Sequence, residues 1–466
     1  MDGKVTIINF NANAASIVSA AGRISTTKGC ADEIYLDSCN KEQEKNISLI
    51  KKILASGHES VLEHISVNLS FNNVSVFVEQ FLIEFRLASF TVKSRRYVDF
   101  GNMGFILPDF SRYENEIRGD LKQKYEQHME YLFEEYNFFA EAGIPKEDAR
   151  FVLPYSFKSN FYCTVNAREL IKIMNEMVNG RGRHYPELVM LGNSLFQQCE
   201  EKLPYLKREK KPADVREALK GLYPKLDECD EDRGQKDELV SLLYGTEHSE
   251  QMICKAAALN QGISGWYHCN ISDSRQQKAM IKEILKQSRR RELEQVHFTV
   301  CFNKVSLAGV THLVRHRMQS IIVPEYVNIC QYDRYVLPES IVKAGLTKRY
   351  QNIYEKTRKV ADELNAQGLL QPDQVYLLLS GMTIPVITTM NANELCTFIQ
   401  LRTCNRAQWE IKACADALLK VLRNEYPVLF SMYGPTCYMT GECPEGKMTC
   451  GRMQEMCKLY SDGLEE

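Results

Sequence analysis

The sequence predicts an α+β fold in which one domain, an antiparallel sheet packed with long helices, occurs twice in tandem. Three observations predict it. First, FNNVSVFVEQFLIEFRLAS (71–89) aligns without a gap on FNKVSLAGVTHLVRHRMQS (302–320), with Phe71/Phe302, Asn72/Asn303, Val74/Val305, Ser75/Ser306, Leu82/Leu313, Arg86/Arg317 and Ser89/Ser320 identical. The same register pairs Leu62-Glu63 with Leu293-Glu294, and TVNAREL (164–170) later matches TMNANEL (389–395). Matched blocks in one order mark a duplicated domain, not a short solenoid repeat. Second, each half runs from an alternating strand pattern into helical spacing. Third, the stretch near 205–245 is polar and highly charged, as a joint between domains should be.

The elements follow in order. MDGKVTIINFNANAAS lacks a signal-peptide layout and reads as a first strand. ISVNLSF and HFTVCF alternate as half-buried strands. A helix follows each; in the second half its apolar residues are Leu307, Val310, Leu313 and Val314, and Ser75 and Ser306 stand at N-cap positions. ANELCTFIQLR and AQWEIKACADALLKVLRNEYP read as amphipathic helices. The expected domains are 1–210 and 241–435, with a charged linker at 211–240, holding one connecting helix, and a Cys-rich tail at 436–466.

Composition excludes several classes. A chain of 466 residues exceeds one ordinary core, and 44% hydrophobic with 25% charged residues is a globular balance. A net charge of −2 argues against nucleic-acid binding, so KREKK (207–211) and KQSRRRE (286–292) read as solvated faces. No apolar run approaches the roughly 18 residues that span a bilayer. A cytoplasmic location is expected. Most of the sixteen cysteines are expected as free thiols. In the tail, Cys437, Cys443, Cys450 and Cys457 are separated by five, six and six residues, wider than usual zinc-ligand pairs, so no metal site is expected there.

THLVRHRMQS (311–320) gathers Arg315, His316 and Arg317, two permanent charges and a switchable third, at the end of an apolar helix. They suit either a helix C-terminus complementing the macrodipole or a clamp for phosphate or an electron-rich ring. In the first half the cluster shrinks to Arg86, but Ser94, Arg95, Arg96 and Tyr97 follow, a hydroxyl with arginines that suits a phosphate or a pyrimidine edge.

RHRMQS and SRRYV resemble the two ends of the RHRxxSxNExSxRY signature of the flavin-dependent thymidylate synthases. GHESVLEH (57–64), EDARFVLP (147–154), TVNAREL and LRTCNRAQWEI (401–411) resemble that family's other blocks, in its order. The resemblance implies conversion of dUMP to dTMP with FAD, methylenetetrahydrofolate and NADPH, without a cysteine nucleophile. It implies FAD contacts from His64, Asn166, Arg315, His316, Arg317, Ser320 and Asn391, and dUMP contacts from Ser94, Arg96, Arg150 and Arg402.

The two copies have lost different pieces. Positions equivalent to Ser94, Arg96, Arg150 and His64 are Glu325, Val327, Tyr376 and Gln295, whereas Arg402 corresponds to Asn179. The family's Asn-Glu pair is Thr91-Val92 in one copy and Ile322-Val323 in the other; its glutamine before RHR is Phe81 or His312, and the histidine near AQWEI is Arg406. Complementary losses imply that one half supplies the flavin clamp and the other the substrate clamp, in a homodimer that acts as a pseudo-tetramer. Two alternatives are a non-catalytic nucleotide- or flavin-binding relative and a paralogue acting on another pyrimidine nucleotide.

Overall fold

The computed structural model describes residues 2–206 and 238–461, so most of the expected linker, with its connecting helix, lies outside the described residues. The chain forms two compact units. One comprises the first copy together with 337–381; the other comprises the rest of the second copy and the tail. Compactness therefore does not follow the repeat boundary: a stretch of the second copy belongs to the unit of the first.

In the first unit, β1 (Lys4–Phe10), β2 (Ser66–Ser75), β3 (Ala88–Val92) and β4 (Lys158–Asn166) form an antiparallel sheet ordered β1-β2-β4-β3. In the second, β5 (Val240–Gly245), β6 (His297–Ser306), β7 (Gln319–Ile322) and β8 (Thr383–Asn391) repeat that order. Even the irregularities are duplicated. Register shifts fall at Phe71/Val74 on β2 and at Phe302/Val305 on β6.

The strands form because alternate residues find an apolar layer. Val67, Leu69 and Phe71 on β2, and Phe298, Val300 and Phe302 on β6, are buried, while Ser66 and His297 face out. The chain then turns into the helices Val76–Ile83 and Leu307–Leu313. Ser75 and Ser306 cap them, accepting from the backbone N–H of Val78 (3.1 Å) and Gly309 (2.8 Å).

A buried glutamate holds each cap in turn. Glu187 accepts from the Ser75 N–H at 2.8 Å, and Glu410, in the AQWEI block, accepts from both the N–H and the hydroxyl of Ser306. Gly309 lies close against this clamp, where a Cβ would lie 3.0 Å from Glu410 Oε2. In the first copy Val78 takes that position, and Glu187 also accepts from the Tyr376 hydroxyl at 2.8 Å.

The long helices Asn115–Glu141 and Thr347–Ala366, one from each copy, pack together inside the first unit. Tyr350 and Tyr354 are fully buried there, Arg349 makes a bidentate pair with Glu135 (2.6 and 3.1 Å), and His128 meets Thr357 at 3.2 Å. Among the described residues, no helix is long and apolar enough to cross a membrane.

Candidate functional site

In each unit one end of the sheet collects the repeated sequence blocks. β2 starts, β3 starts and β4 ends together, with Ser66 opposite Asn166 and Ala88 opposite Val165. The 3₁₀ helix Glu59–His64 leads into β2, and its exposed His64 reaches this end. Asn166 caps the helix Ala167–Val178 by accepting from Glu169 N–H at 2.8 Å, and Arg168 on that helix pairs with Glu63 at 2.6 Å. In the second unit Asn391 caps the helix Ala392–Arg402 identically, through Glu394 N–H at 2.8 Å. Both asparagines assigned to a flavin by resemblance thus also do structural work.

The RHR residues occupy the loop between the helix Leu307–Leu313 and β7. Buried Gln319 staples that loop by donating to the Leu313 carbonyl (2.5 Å) and accepting from the Thr388 hydroxyl (2.7 Å). Arg315 and Arg317 are exposed, as is Ser320 at the start of β7. His316 is not: only 5% of it is accessible, and its ring packs edge-on against Phe398.

His316 is therefore not presented alongside Arg315 and Arg317. His316 Nδ1 lies 3.0 Å from Glu394 Oε1, while Arg402 Nε donates to His316 Nε2 at 3.0 Å. Because a guanidinium can only donate, Nε2 must accept, and the proton sits on Nδ1 facing the carboxylate. Burial holds the imidazole below its usual range, with Arg402 acting in the same direction and Glu394 opposing. The ring is neutral because its partners and its burial both require it.

Arg402 is thereby placed with the RHR loop, and its Nη2 also donates to the His312 carbonyl at 3.0 Å. The other three residues assigned to dUMP lie in the first unit. Ser94 and Arg96 follow β3, one strand length (roughly 17 Å for five residues) from the loop that holds Arg86, and Arg150 opens the 3₁₀ helix Arg150–Val152. The Ser94 hydroxyl accepts from the Arg96 N–H at 3.3 Å. Arg96 Nε donates to the Glu147 carboxylate and Arg150 Nε to the Glu147 carbonyl, both at 3.0 Å. Arg96 and Arg150 thus meet at Glu147, and Ser94 is bonded to the backbone of Arg96.

The neighbouring arginine behaves differently. Arg95 is 8% accessible, pairs with fully buried Glu79 at 2.5 Å and lies over the Phe157 ring. Consecutive arginines split, one inward to anchor the loop and one outward. Sequence reasoning missed Glu79, Glu147 and Glu394 as partners. Glu394 had a signal, because Asn-x-x-Glu before an apolar run is a helix-start pattern in both copies.

The tail cysteines pack as thiols: Cys437 is buried and burial pushes it up, while Cys457 donates to the Cys437 carbonyl. Among the described residues, no group of three or more His, Cys, Asp or Glu side chains is arranged to hold a metal.

Comparison with known proteins agrees with the duplication. The family described as "Thymidylate synthase complementing protein" matches residues 6–205 and again 241–428. The chain is similar to the flavin-dependent thymidylate synthase of Geobacter sulfurreducens, 32% identical over 48% of this chain and 98% of that protein. It is also similar to the enzyme of the same name from Clostridium tetani, 30% identical over 47% and 96%. Among solved structures, a UMP/dUMP methylase from Streptomyces cacaoi bound with 5-Br dUMP aligns with a TM-score of 0.38. It is 23% identical over 44% of this chain and 93% of that one.

Proposed function

Since the chain belongs to the thymidylate synthase complementing protein family, matched once in each half, we propose that it methylates dUMP at uracil C5 to give dTMP. FAD is the cofactor, and methylenetetrahydrofolate and NADPH are the co-substrates. The observation that carries this reading is the meeting of Arg96 and Arg150 at Glu147, with Ser94 bonded to the Arg96 N–H, while the complete Arg-His-Arg loop is found in the other copy.

Exposed Arg315 and Arg317, with Ser320, form a donor set suited to the phosphates of a dinucleotide, and these residues would hold FAD. When bound, FAD supplies the redox chemistry and the folate supplies the carbon. The chain's own contribution is binding and polarisation. Arg96 and Arg150 would take the nucleotide phosphate, with Ser94 as a further donor, and Arg402 would stabilise negative charge developing on the uracil. His64 stands at the flavin end of the first copy.

Each chain would then carry one complete set of clamps and bind one equivalent of FAD. Turnover with dUMP, methylenetetrahydrofolate and NADPH, followed as loss of hydrogen from uracil C5, tests the activity. Two equivalent flavins per chain would overturn the division of labour.

A second reading has one observation in its favour. The family's Asn-Glu pair is absent, and Thr91-Val92 and exposed Ile322 with Val323 supply no carboxylate there. A chain that binds FAD and nucleotide but does not turn over is a non-catalytic binding relative; turnover with a different pyrimidine nucleotide identifies a paralogue.

A further inference from the structure

We infer that Glu394 and His316 are positioning residues for Arg402, forming a relay that fixes the plane of its guanidinium. The inference rests on the reading of Arg402 as a nucleotide-facing group. It departs from the role that resemblance gives His316, which is contact with the flavin.

The relay begins at a helix start. Asn391 accepts from the Glu394 N–H, which sets the first turn of the helix Ala392–Arg402 and directs the Glu394 side chain to the RHR loop. Its carboxylate accepts from His316 Nδ1–H at 3.0 Å, which leaves Nε2 as an acceptor. Arg402, the last residue of the same helix, donates Nε to that acceptor and Nη2 to the His312 carbonyl, each at 3.0 Å. Two nitrogens on one edge of the guanidinium are thus tied to the protein, so rotation about its last bonds is blocked. A fixed guanidinium loses less entropy on meeting a planar base than a swinging one.

The first copy provides the contrast. It keeps the cap, Asn166 to Glu169 N–H, and it keeps the buried carboxylate. The position of His316 is Phe85, and that of Arg402, counted from the shared cap, is Met177 rather than the Asn179 that the sequence comparison pairs with it. Glu169 there turns to Lys172 at 3.3 Å, and Met177 is fully buried. A ring at this position needs no nitrogen to pack, as Phe85 demonstrates. The histidine accompanies the arginine and is absent where the arginine is absent.

The test uses the full chain with three readouts: flavin content, dUMP affinity and turnover. His316→Phe installs the first copy's residue and removes the acceptor; Glu394→Leu removes the group that fixes the tautomer. Both are expected to weaken dUMP affinity and turnover at least tenfold with flavin content unchanged. His316→Gln, which keeps one acceptor and one donor, is expected to recover most of the loss. In an Arg402→Ala background, His316→Phe is expected to add no further loss. Circular dichroism and thermal melting identify any variant that misfolds. His316→Gln and the double variant, both judged against folded references, then carry the test.

If His316→Phe strips the flavin while dUMP affinity is intact, His316 is a flavin contact and the relay is wrong. The relay is equally wrong if losses from His316→Phe and Arg402→Ala multiply. If Arg402→Ala leaves both dUMP affinity and turnover unchanged, it is the reading of Arg402 that fails, and the relay fails with it.

Discussion

Arg95, Arg96, Arg315, His316 and Arg317 are all basic residues in basic runs, yet two of them turn inward. Burying a guanidinium is tolerable only with a partner, and Arg95 has Glu79 beneath it. Arg95→Met would leave buried Glu79 with the Ser159 hydroxyl but without its cation, so a loss of about 3 kcal/mol of stability is expected, read by denaturant unfolding. Arg96→Met, at a half-buried position against Glu147, is expected to change stability by less than about 1 kcal/mol. Function should divide along the other axis. Arg96→Ala is expected to weaken dUMP binding tenfold or more, with flavin content preserved, and Arg317→Ala the reverse. Equilibrium titration of each ligand decides it; a variant that leaves both affinities untouched does not hold the role assigned to it.

At the scale of elements, the long helix pair carries a buried histidine whose chemistry fixes a pH dependence. Thr357 donates its hydroxyl proton to the Ile353 carbonyl, so His128 Nε2–H must be the donor to Thr357. His128 Nδ1 has no partner, and burial lowers the ring to about 4, below its ordinary 6.5. Between those values the unfolded chain binds the extra proton and the folded chain does not. Stability therefore falls as the pH drops from 6.5 to 4, by up to roughly 3 kcal/mol from this group. His128→Gln should remove that slope; parallel stability–pH curves for parent and variant would refute it.

The Ser–Glu clamps make a second element-scale case. Glu410→Ala strips the acceptor from a buried N–H and a buried hydroxyl at the start of Leu307–Leu313, and a loss of roughly 3 kcal/mol is expected in thermal or denaturant melts. Elements such as these were largely legible in the sequence. The alternation in HFTVCF and the serines at 75 and 306 report local geometry, and local geometry sets both strands and caps. What a cap or loop residue then reaches was not legible. His316 turns inward because Glu394 meets it from 78 residues away. No spacing rule within RHRMQS contains that partner. Arg96 reaches Glu147 for the same reason, across the long helix between them, whereas the bond from Arg150 to the Glu147 carbonyl is local.

At the scale of the whole molecule, the sequence reads as two consecutive domains, and the compact unit that holds the first copy also includes 337–381 of the second. That segment contributes Tyr350, Ile353, Tyr354, Leu364, Val375 and Tyr376, all essentially inaccessible, to the first unit's core. It also brings Asp373, which is fully buried and is partnered by Arg112 and by the Tyr113 hydroxyl at 2.5 Å. Its backbone completes the region around Phe151: Ser380 N–H donates to the Leu153 carbonyl, Gly381 N–H to that of Phe151, and Tyr155 N–H to that of Leu378. Without the segment, Glu135, Glu187 and the helix Asn115–Glu141 would present polar partners and an apolar face to water. A fragment ending at 206 is therefore expected to lack a sharp thermal transition and near-ultraviolet dichroism, although its sheet pattern is complete. Supplying 337–381 on a flexible linker should restore both signals. Asp373→Asn in that linked fragment should lower its midpoint, because a buried neutral amide cannot satisfy a guanidinium as a carboxylate does. Cooperative melting of the 1–206 fragment alone would mean that the repeat boundary, not the compact unit, is the folding boundary.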